Sequence, residues 1–138
     1  MKFEELSIDT DILRVLCELK FTEPTEIQEK AIPLVQEGYD VIGESATGSG
    51  KTLIFAIRLI EKAIPREGVQ ALVLVPTREL CEQVSKEIKK FSKYKSLTIA
   101  SIYGGVSYGP QINILKKAEI IIGTPGRTLD HIKRRTLQ

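Results

Sequence analysis

A chain of 138 residues has the length of one small domain and is long enough to bury a core. With 42% apolar and 28% charged residues, it is neither collagen-like, low-complexity nor a disulfide scaffold, and no apolar run approaches the roughly 18 residues of a membrane span. The net charge of +2 hides an asymmetry: residues 1–50 hold 4 basic and 11 acidic side chains, residues 51–138 hold 16 and 7, which suggests a polyanion met by the later part.

In chain order, the acidic start Met1-Lys2-Phe3-Glu4-Glu5 carries no apolar leader-like run. Asp9 or Thr10 can cap a first helix with Ile12, Leu13, Leu16 and Leu19 on one side. Phe21-Thr22-Glu23 breaks it. Thr25 can cap a second helix carrying Ile27, Ala31 and Ile32, interrupted near Pro33 and stopped at Gly38. Asp40–Glu44 is a short predicted strand and Leu53–Ala63 a helix. Ala71–Val75 is an apolar strand, and Thr77 opens a helix towards Phe91. Leu97–Tyr103 is a strand, Ile112–Lys117 a short helix, Glu119–Ile122 a strand, and Thr124–Arg135 a further helix. Lys86, Lys89, Lys90, Lys93 and Lys95 read as a solvated face. Cys17 and Cys81 both fall in apolar helical patterns, and His131 is the only histidine. No zinc-ligand spacing exists; buried free thiols in a reducing, cytoplasmic compartment are expected.

Strands alternating with helices imply an α/β fold with a parallel sheet, and apolar strands imply burial on both faces. Ligands in such sheets sit beyond the carboxyl ends of the strands. There the chain places Ser45–Thr52, then Pro76-Thr77-Arg78-Glu79, then Gly104-Gly105, then Gly123-Thr124-Pro125-Gly126-Arg127. Each strand is followed by a Gly-rich or polar motif, and all four motifs fall on one edge.

Ala46-Thr47-Gly48-Ser49-Gly50-Lys51-Thr52 lies between a strand and a helix, the context of a phosphate-binding loop (P-loop). Gly48 and Gly50 permit positive φ, so that successive N–H groups face one concavity, and the following helix adds its positive end. Lys51 would reach β- and γ-phosphates, and Thr52 would place its hydroxyl on Mg2+. The strict pattern has Gly where this chain has Ser45.

Further motifs choose among P-loop proteins. Phe21-Thr22-Glu23-Pro24-Thr25-Glu26-Ile27-Gln28 resembles the Q motif of DEAD-box RNA helicases, with Phe3 as the isolated upstream aromatic. Pro76-Thr77-Arg78-Glu79-Leu80 resembles motif Ia, with Cys81 where Ala is common. Gly104-Gly105 resembles the GG motif, and Thr124-Pro125-Gly126-Arg127 motif Ib. The resemblance spans nearly the whole chain in family order. It departs at Lys20, where the family usually has Gly, and at Glu26, where Pro is common.

The resemblance implies a RecA-like P-loop NTPase domain, divided as a helical Q-motif segment (1–38) and a partial core (39–138). It implies ATP and Mg2+ as ligands, with Lys51 and Thr52 at the phosphates and metal. Gln28 would read adenine, a carboxamide matching N6 and N7, with Phe21 against the base and Phe3 behind it. Thr25 would tie the Q motif to Ala46, Thr47, Gly48, Ser49 and Gly50. Pro76, Thr77, Arg78, Gly104, Gly105, Thr124, Pro125, Gly126 and Arg127 would line an RNA backbone with weak sequence preference. For Arg78 a helix-start surface ion pair is the lesser alternative. Lys133, Arg134 and Arg135 read as a solvated face.

A P-loop ATPase also needs an acid at the end of a second buried strand, and no apolar strand here ends in Asp or Glu. The family's Asp-Glu-Ala-Asp motif and second RecA-like domain are absent from the sequence. The expectation is a domain cut short before that motif, which binds nucleotide weakly, does not hydrolyse it, and self-associates through an exposed sheet edge. A different P-loop NTPase and a non-catalytic nucleotide- or RNA-binding half-domain stay open as alternatives.

Overall fold

The computed structural model describes residues 1–38 and 50–137. They belong to two units: Met1–Lys62 with Lys90–Lys95, and Ala63–Lys89 with Ser96–Gln138. The predicted strand at 40–44 and the loop residues Ala46, Thr47, Gly48 and Ser49 lie outside the described residues.

In the first unit a 3-10 turn (Phe3–Glu5) precedes α1 (Thr10–Glu18), α2 (Glu26–Gln36) and α3 (Lys51–Lys62). α1 buries Ile12, Val15 and Leu16, while Leu13 and Leu19 are half-buried. Cys17 is exposed, which corrects the expectation of two buried thiols. It lies about 100° around the helix from Leu16, and that step carries it off the buried stripe. α1 closes with paired bonds from Phe21 N to Leu16 O (2.8 Å) and Lys20 N to Cys17 O (3.0 Å). This is a Schellman motif, and it forces Lys20 to φ +63°. The position where the resembled family has Gly is thus one whose backbone conformation favours Gly.

α2 runs unbroken through Pro33, contrary to the expected interruption. Pro33 forfeits only its own N–H, and its carbonyl still accepts from Glu37 N at 3.1 Å. The helix ends at Gly38, φ +93°, as its sequence suggests. α3 starts two residues earlier than its apolar run and buries Leu53, Ile54, Ala56, Ile57 and Ile60. Arg58 Nη1 donates to Gln36 O (2.7 Å) and Gln36 Nε2 to Ser7 O (2.6 Å), joining α3 to α2 and to the chain before α1. Tyr94 and Lys93 both hydrogen-bond Glu18. Those two bonds, Tyr94's first, hold the Glu18 carboxyl below its ordinary range. Lys93 is therefore tied down rather than merely solvated.

The second unit carries β1 (Ala71–Leu74), most of α4 (Arg78–Phe91), β2 (Ile99–Ile102), α5 (Tyr108–Leu115), β3 (Ile120–Gly123) and α6 (Pro125–Lys133). The strands are parallel in the order β1-β3-β2, and their ends are in register at Leu74, Gly123 and Ile102. Central β3 is buried throughout, as continuous apolarity predicts for a strand flanked on both sides. β1 departs from that expectation: Leu72 and Leu74 are exposed. Among the described residues β1 pairs on one side only. Ala100, Ile102, Leu115, Ala118, Ile121 and Leu137 form a core cluster. Cys81 is fully buried. Its Sγ donates to Ile122 O at 3.0 Å, and burial pushes its thiol pKa up, which leaves it unreactive. α5 begins four residues before the predicted Ile112, with Ser107 as its N-cap. Pro110 falls in its first turn, where no backbone N–H is needed.

Candidate functional site

Two groups of sequence-predicted residues are built by different means. In the first unit Thr25 caps α2. Its side chain accepts from Gln28 N (3.3 Å), and Gln28 Oε1 accepts from Thr25 N (2.9 Å), a complete capping box. The other end of the same carboxamide reaches out: Gln28 Nε2 donates to Gly50 O at 3.1 Å. Gln28 therefore joins the start of α2 to the residue before Lys51. Gln28 is buried, 5% exposed, and each end of its carboxamide has the capacity for a second hydrogen bond.

Gly50 sits at φ +84°, as expected for a loop glycine. A Cβ there would collide with Gln28 Nε2 and stand 3.1 Å from Gln28 Cδ. Lys51 and Thr52 are the first two residues of α3 and are half-buried. The first-turn N–H groups of such a helix lack intrahelical partners and point at what lies beyond it. An ammonium, a hydroxyl and a helix N-terminus are a donor set that suits phosphate with a hard cation. Phe21 is 43% exposed, 6.5 Å from the Phe91 ring, so it can offer surface to a base. Phe3 is buried in the core.

The second group lies in the second unit. Because Leu74, Gly123 and Ile102 end three parallel strands in register, the residues that follow come out at one edge. Thr124 N donates to Ile102 O (2.9 Å) and Val75 N to Gly123 O (2.9 Å), carrying the sheet pattern one residue further. Pro76, Thr77, Arg78, Gly104, Gly105, Pro125 and Gly126 are exposed there, and Thr124 and Arg127 are half-buried. Three helix N-termini meet this edge. Thr77 Oγ1 accepts from Leu80 N (3.2 Å) at the start of α4; Ser107 and Thr124 are the N-caps of α5 and α6 without side-chain cap bonds. Gly105 is at φ +82°. Parallel dipole ends with unpaired N–H groups and adjacent arginines suit an extended polyanion.

Arg78 makes the surface ion pair that its sequence position gives as the lesser alternative, Nε to Glu82 Oε1 at 3.4 Å. It also lies over the Tyr103 ring at 4.7 Å, and the Tyr103 hydroxyl donates to the same Glu82 (2.9 Å). That bond raises the Tyr103 pKa. Arg127 is held more firmly. Its Nη1 donates to Val106 O (2.9 Å) and Gln111 Oε1 (3.1 Å), and its guanidinium stacks 3.9 Å from the Tyr108 ring.

Sequence reading missed Gln111, His131, Tyr103 and Tyr108. A signal existed for two of them. Gln111 shares the buried side of α5 with Leu115, and His131 shares that of α6 with Thr128. A polar residue at a core-facing helical position needs partners, and here they are each other.

Residues 25–138 match the family model described as DEAD/DEAH box helicase. A probable ATP-dependent RNA helicase of Methanocaldococcus jannaschii is 49% identical over 99% of this chain, which spans 38% of that protein. The crystal structure of a DEAD box protein from the hyperthermophile Methanococcus jannaschii superposes with a TM-score of 0.95 at 48% identity, covering all of this chain and 38% of the other. S. cerevisiae Dbp5 bound to RNA and ADP BeF3 gives a TM-score of 0.88 at 31% identity, over 99% of this chain and 35% of that one. The chain thus spans less than two-fifths of the length of these relatives.

Proposed function

Since the chain belongs to the DEAD/DEAH box helicase family, we propose that it is the ATP- and RNA-gripping part of an ATP-dependent RNA helicase, which couples nucleotide binding and hydrolysis to RNA binding, unwinding or remodelling of RNA–protein complexes. One observation carries the RNA half: three strands ending in register bring motifs Ia, GG and Ib to a single edge under three helix N-termini. RNA lies along that edge by its backbone, with Thr77, Arg78, Gly105, Thr124 and Arg127 meeting phosphates or 2′-hydroxyls. The RNA-bound state of the yeast relative supports this reading.

ATP binds at the Thr25–Gln28–Gly50–Lys51 group, with adenine at Gln28 and Phe21. Lys51 neutralises β- and γ-phosphate charge, and Thr52 offers its hydroxyl to Mg2+. When bound, that ion would neutralise phosphate charge and orient the γ-phosphoryl group. Within the described residues, β1, β2 and β3 end at Leu74, Ile102 and Gly123, and none supplies an acid to a metal. This supports placing hydrolysis outside these three strand ends. Exposed Leu72 and Leu74 on β1 support self-association of this chain in isolation.

Fluorescence anisotropy with a short homopolymeric RNA tests the RNA half. Arg127→Ala should weaken binding about tenfold across RNA sequences alike. It should also flatten the dependence of log affinity on log salt by about 0.7. Affinity and slope that do not change would overturn the RNA assignment. For the nucleotide half, Lys51→Ala should remove Mg2+-dependent ATP binding. Lys51-dependent ATP turnover by this chain alone would overturn the division of labour.

A further inference from the structure

The loop–Arg127 assembly is organised by a buried side chain that no motif contains. Gln111 is 5% exposed, and three residues from two pieces of chain, the end of β2 and α6, converge on its carboxamide. Nε2 donates to Tyr103 O at 2.8 Å, the carbonyl just before Gly104. Oε1 faces Arg127 Nη1 at 3.1 Å and His131 Nε2 at 2.9 Å. Resting on the RNA reading above, we propose that Gln111 and His131 are positioning residues, which lock Arg127 and the Gly104–Val106 loop into the geometry that grips an RNA backbone.

The bonds fix one another. A carbonyl can only accept, so Tyr103 O requires the NH2 end of Gln111 and leaves Oε1 pointing at α6. Arg127 can only donate, which agrees. His131 Nε2 must therefore carry a proton, because the other neutral tautomer would set two lone pairs against each other at 2.9 Å. Nδ1 is then an acceptor, and the Thr136 hydroxyl, 2.7 Å from it and 3.1 Å from His131 O, must turn its single proton to Nδ1. The imidazole is completely buried, and that burial, followed by Arg127 and Arg134, disfavours its charged form. Arg127 and Arg134 lie 3.9 and 3.7 Å from the Tyr108 ring, which itself packs on His131 at 5.4 Å. Asp130, engaged by the Tyr108 hydroxyl at 2.9 Å, is the nearby opposite charge.

The consequence for RNA lies in how Arg127 is held. Nη1 is spent inward on Val106 O and Gln111 Oε1, and Tyr108 restrains the guanidinium plane. The remaining N–H groups of the fork are left for a phosphate. An arginine already ordered loses less side-chain freedom on binding. Without Gln111, both Arg127 and the carbonyl that precedes the GG pair lose a buried partner.

The test has a spectroscopic arm and a binding arm. Because His131 is the only histidine in the sequence, 15N shifts of its ring can be read without ambiguity. They should show the Nε2–H tautomer at neutral pH; an Nδ1–H tautomer, or averaged shifts, would overturn the proposal. In the binding arm, Gln111→Leu and His131→Phe keep volume and remove the bridge. Each should weaken RNA binding about tenfold while Mg2+-ATP affinity stays unchanged. His131→Gln, which keeps a donor towards Gln111 Oε1, should recover most of the loss seen with His131→Phe. Recovery separates positioning from mere folding. If Arg127→Ala weakens RNA binding but Gln111→Leu and His131→Phe do not, the positioning role is wrong and the RNA reading stands. If Arg127→Ala is also silent, both fall.

Discussion

The two candidate sites rest on different kinds of order. Around Gln28 the geometry is written in the backbone: a capping box, a glycine at φ +84° and the first turn of α3. One side chain bridges them. Around Gln111 it is written in side chains: Arg127, His131, Thr136 and Tyr108. The first site should therefore be broken by adding atoms, and the second by deleting donors or acceptors. A phosphate cradle needs close backbone approach, whereas a surface that follows an RNA backbone needs charged groups aimed outward.

The largest expected effect is at Gly50. Gly50→Ala places a Cβ against Gln28 Nε2 and a side chain in a left-handed conformation, which costs about 2 kcal/mol. Chemical denaturation should show that loss, and nucleotide titration should show ATP binding falling with it. RNA affinity should change little. Gly105→Ala provides the contrast. It has the same sign of φ but open space around the Cβ, so its cost should be the conformational part alone, about 1 kcal/mol.

A second, smaller break separates packing from polarity under motif Ib. A Cβ on Gly123 would meet the Thr128 side chain, and Thr128 Oγ1 is buried with no hydrogen-bond partner among the described residues. Thr128→Val keeps the shape and removes the orphaned hydroxyl, so it should stabilise the protein by about 1 kcal/mol. Gly123→Ala should destabilise it, and Thr128→Ala should relieve part of that loss. A double-mutant cycle from urea melts would measure the coupling.

The sequence was most legible where a residue type has one physical use. Thr25 and Thr77 were readable as caps, Gly38 and Gly50 as positive-φ positions, and Ile120–Ile122 as a buried strand, because local chemistry decides each. It was least legible where partners are distant. Nothing near Gln111 in the chain announces Tyr103 O or His131, and helix periodicity marks both residues only as polar groups on buried faces. Cys17 was misjudged for the same reason: an apolar neighbourhood in sequence does not say which side of α1 is covered. Pro33 looks like a break in sequence because the loss of one N–H is local, whereas the packing that keeps α2 continuous is not.

Acid tests the buried network from another direction. Burial, then Arg127 and Arg134, lower the His131 pKa below its ordinary 6.5. The fold prefers the neutral ring, so the unfolded chain binds the extra proton first. This contribution to stability is complete above about 6.5, begins to fade below it, and is lost as pH falls through the lowered folded value. His131→Gln, which cannot titrate, should flatten that part of the stability profile and leave the region above pH 6.5 nearly unchanged.

The finest comparison sets one left-handed residue in each unit side by side. Lys20 (φ +63°) closes α1 and Arg135 (φ +61°) closes α6. Both are held by the same pair of bonds: Phe21 N to Leu16 O with Lys20 N to Cys17 O, and Thr136 N to His131 O with Arg135 N to Ile132 O. A side chain in this conformation is disfavoured by about 1 kcal/mol relative to glycine. Part of the gain from Lys20→Gly or Arg135→Gly is offset by the greater freedom of glycine in the unfolded chain. Each should therefore raise stability by about 0.5 kcal/mol, read as a small rise in the urea midpoint with an unchanged slope. The two should part in RNA binding. Lys20→Gly removes a charge from the first unit and should leave the salt dependence as it was. Arg135→Gly removes one from the unit that carries Arg127 and should weaken binding slightly at low salt, with the difference vanishing as salt screens it. Equal RNA behaviour of the two variants would mean that Arg135 contributes no field at the RNA edge, and that the grip there is made by contacts alone.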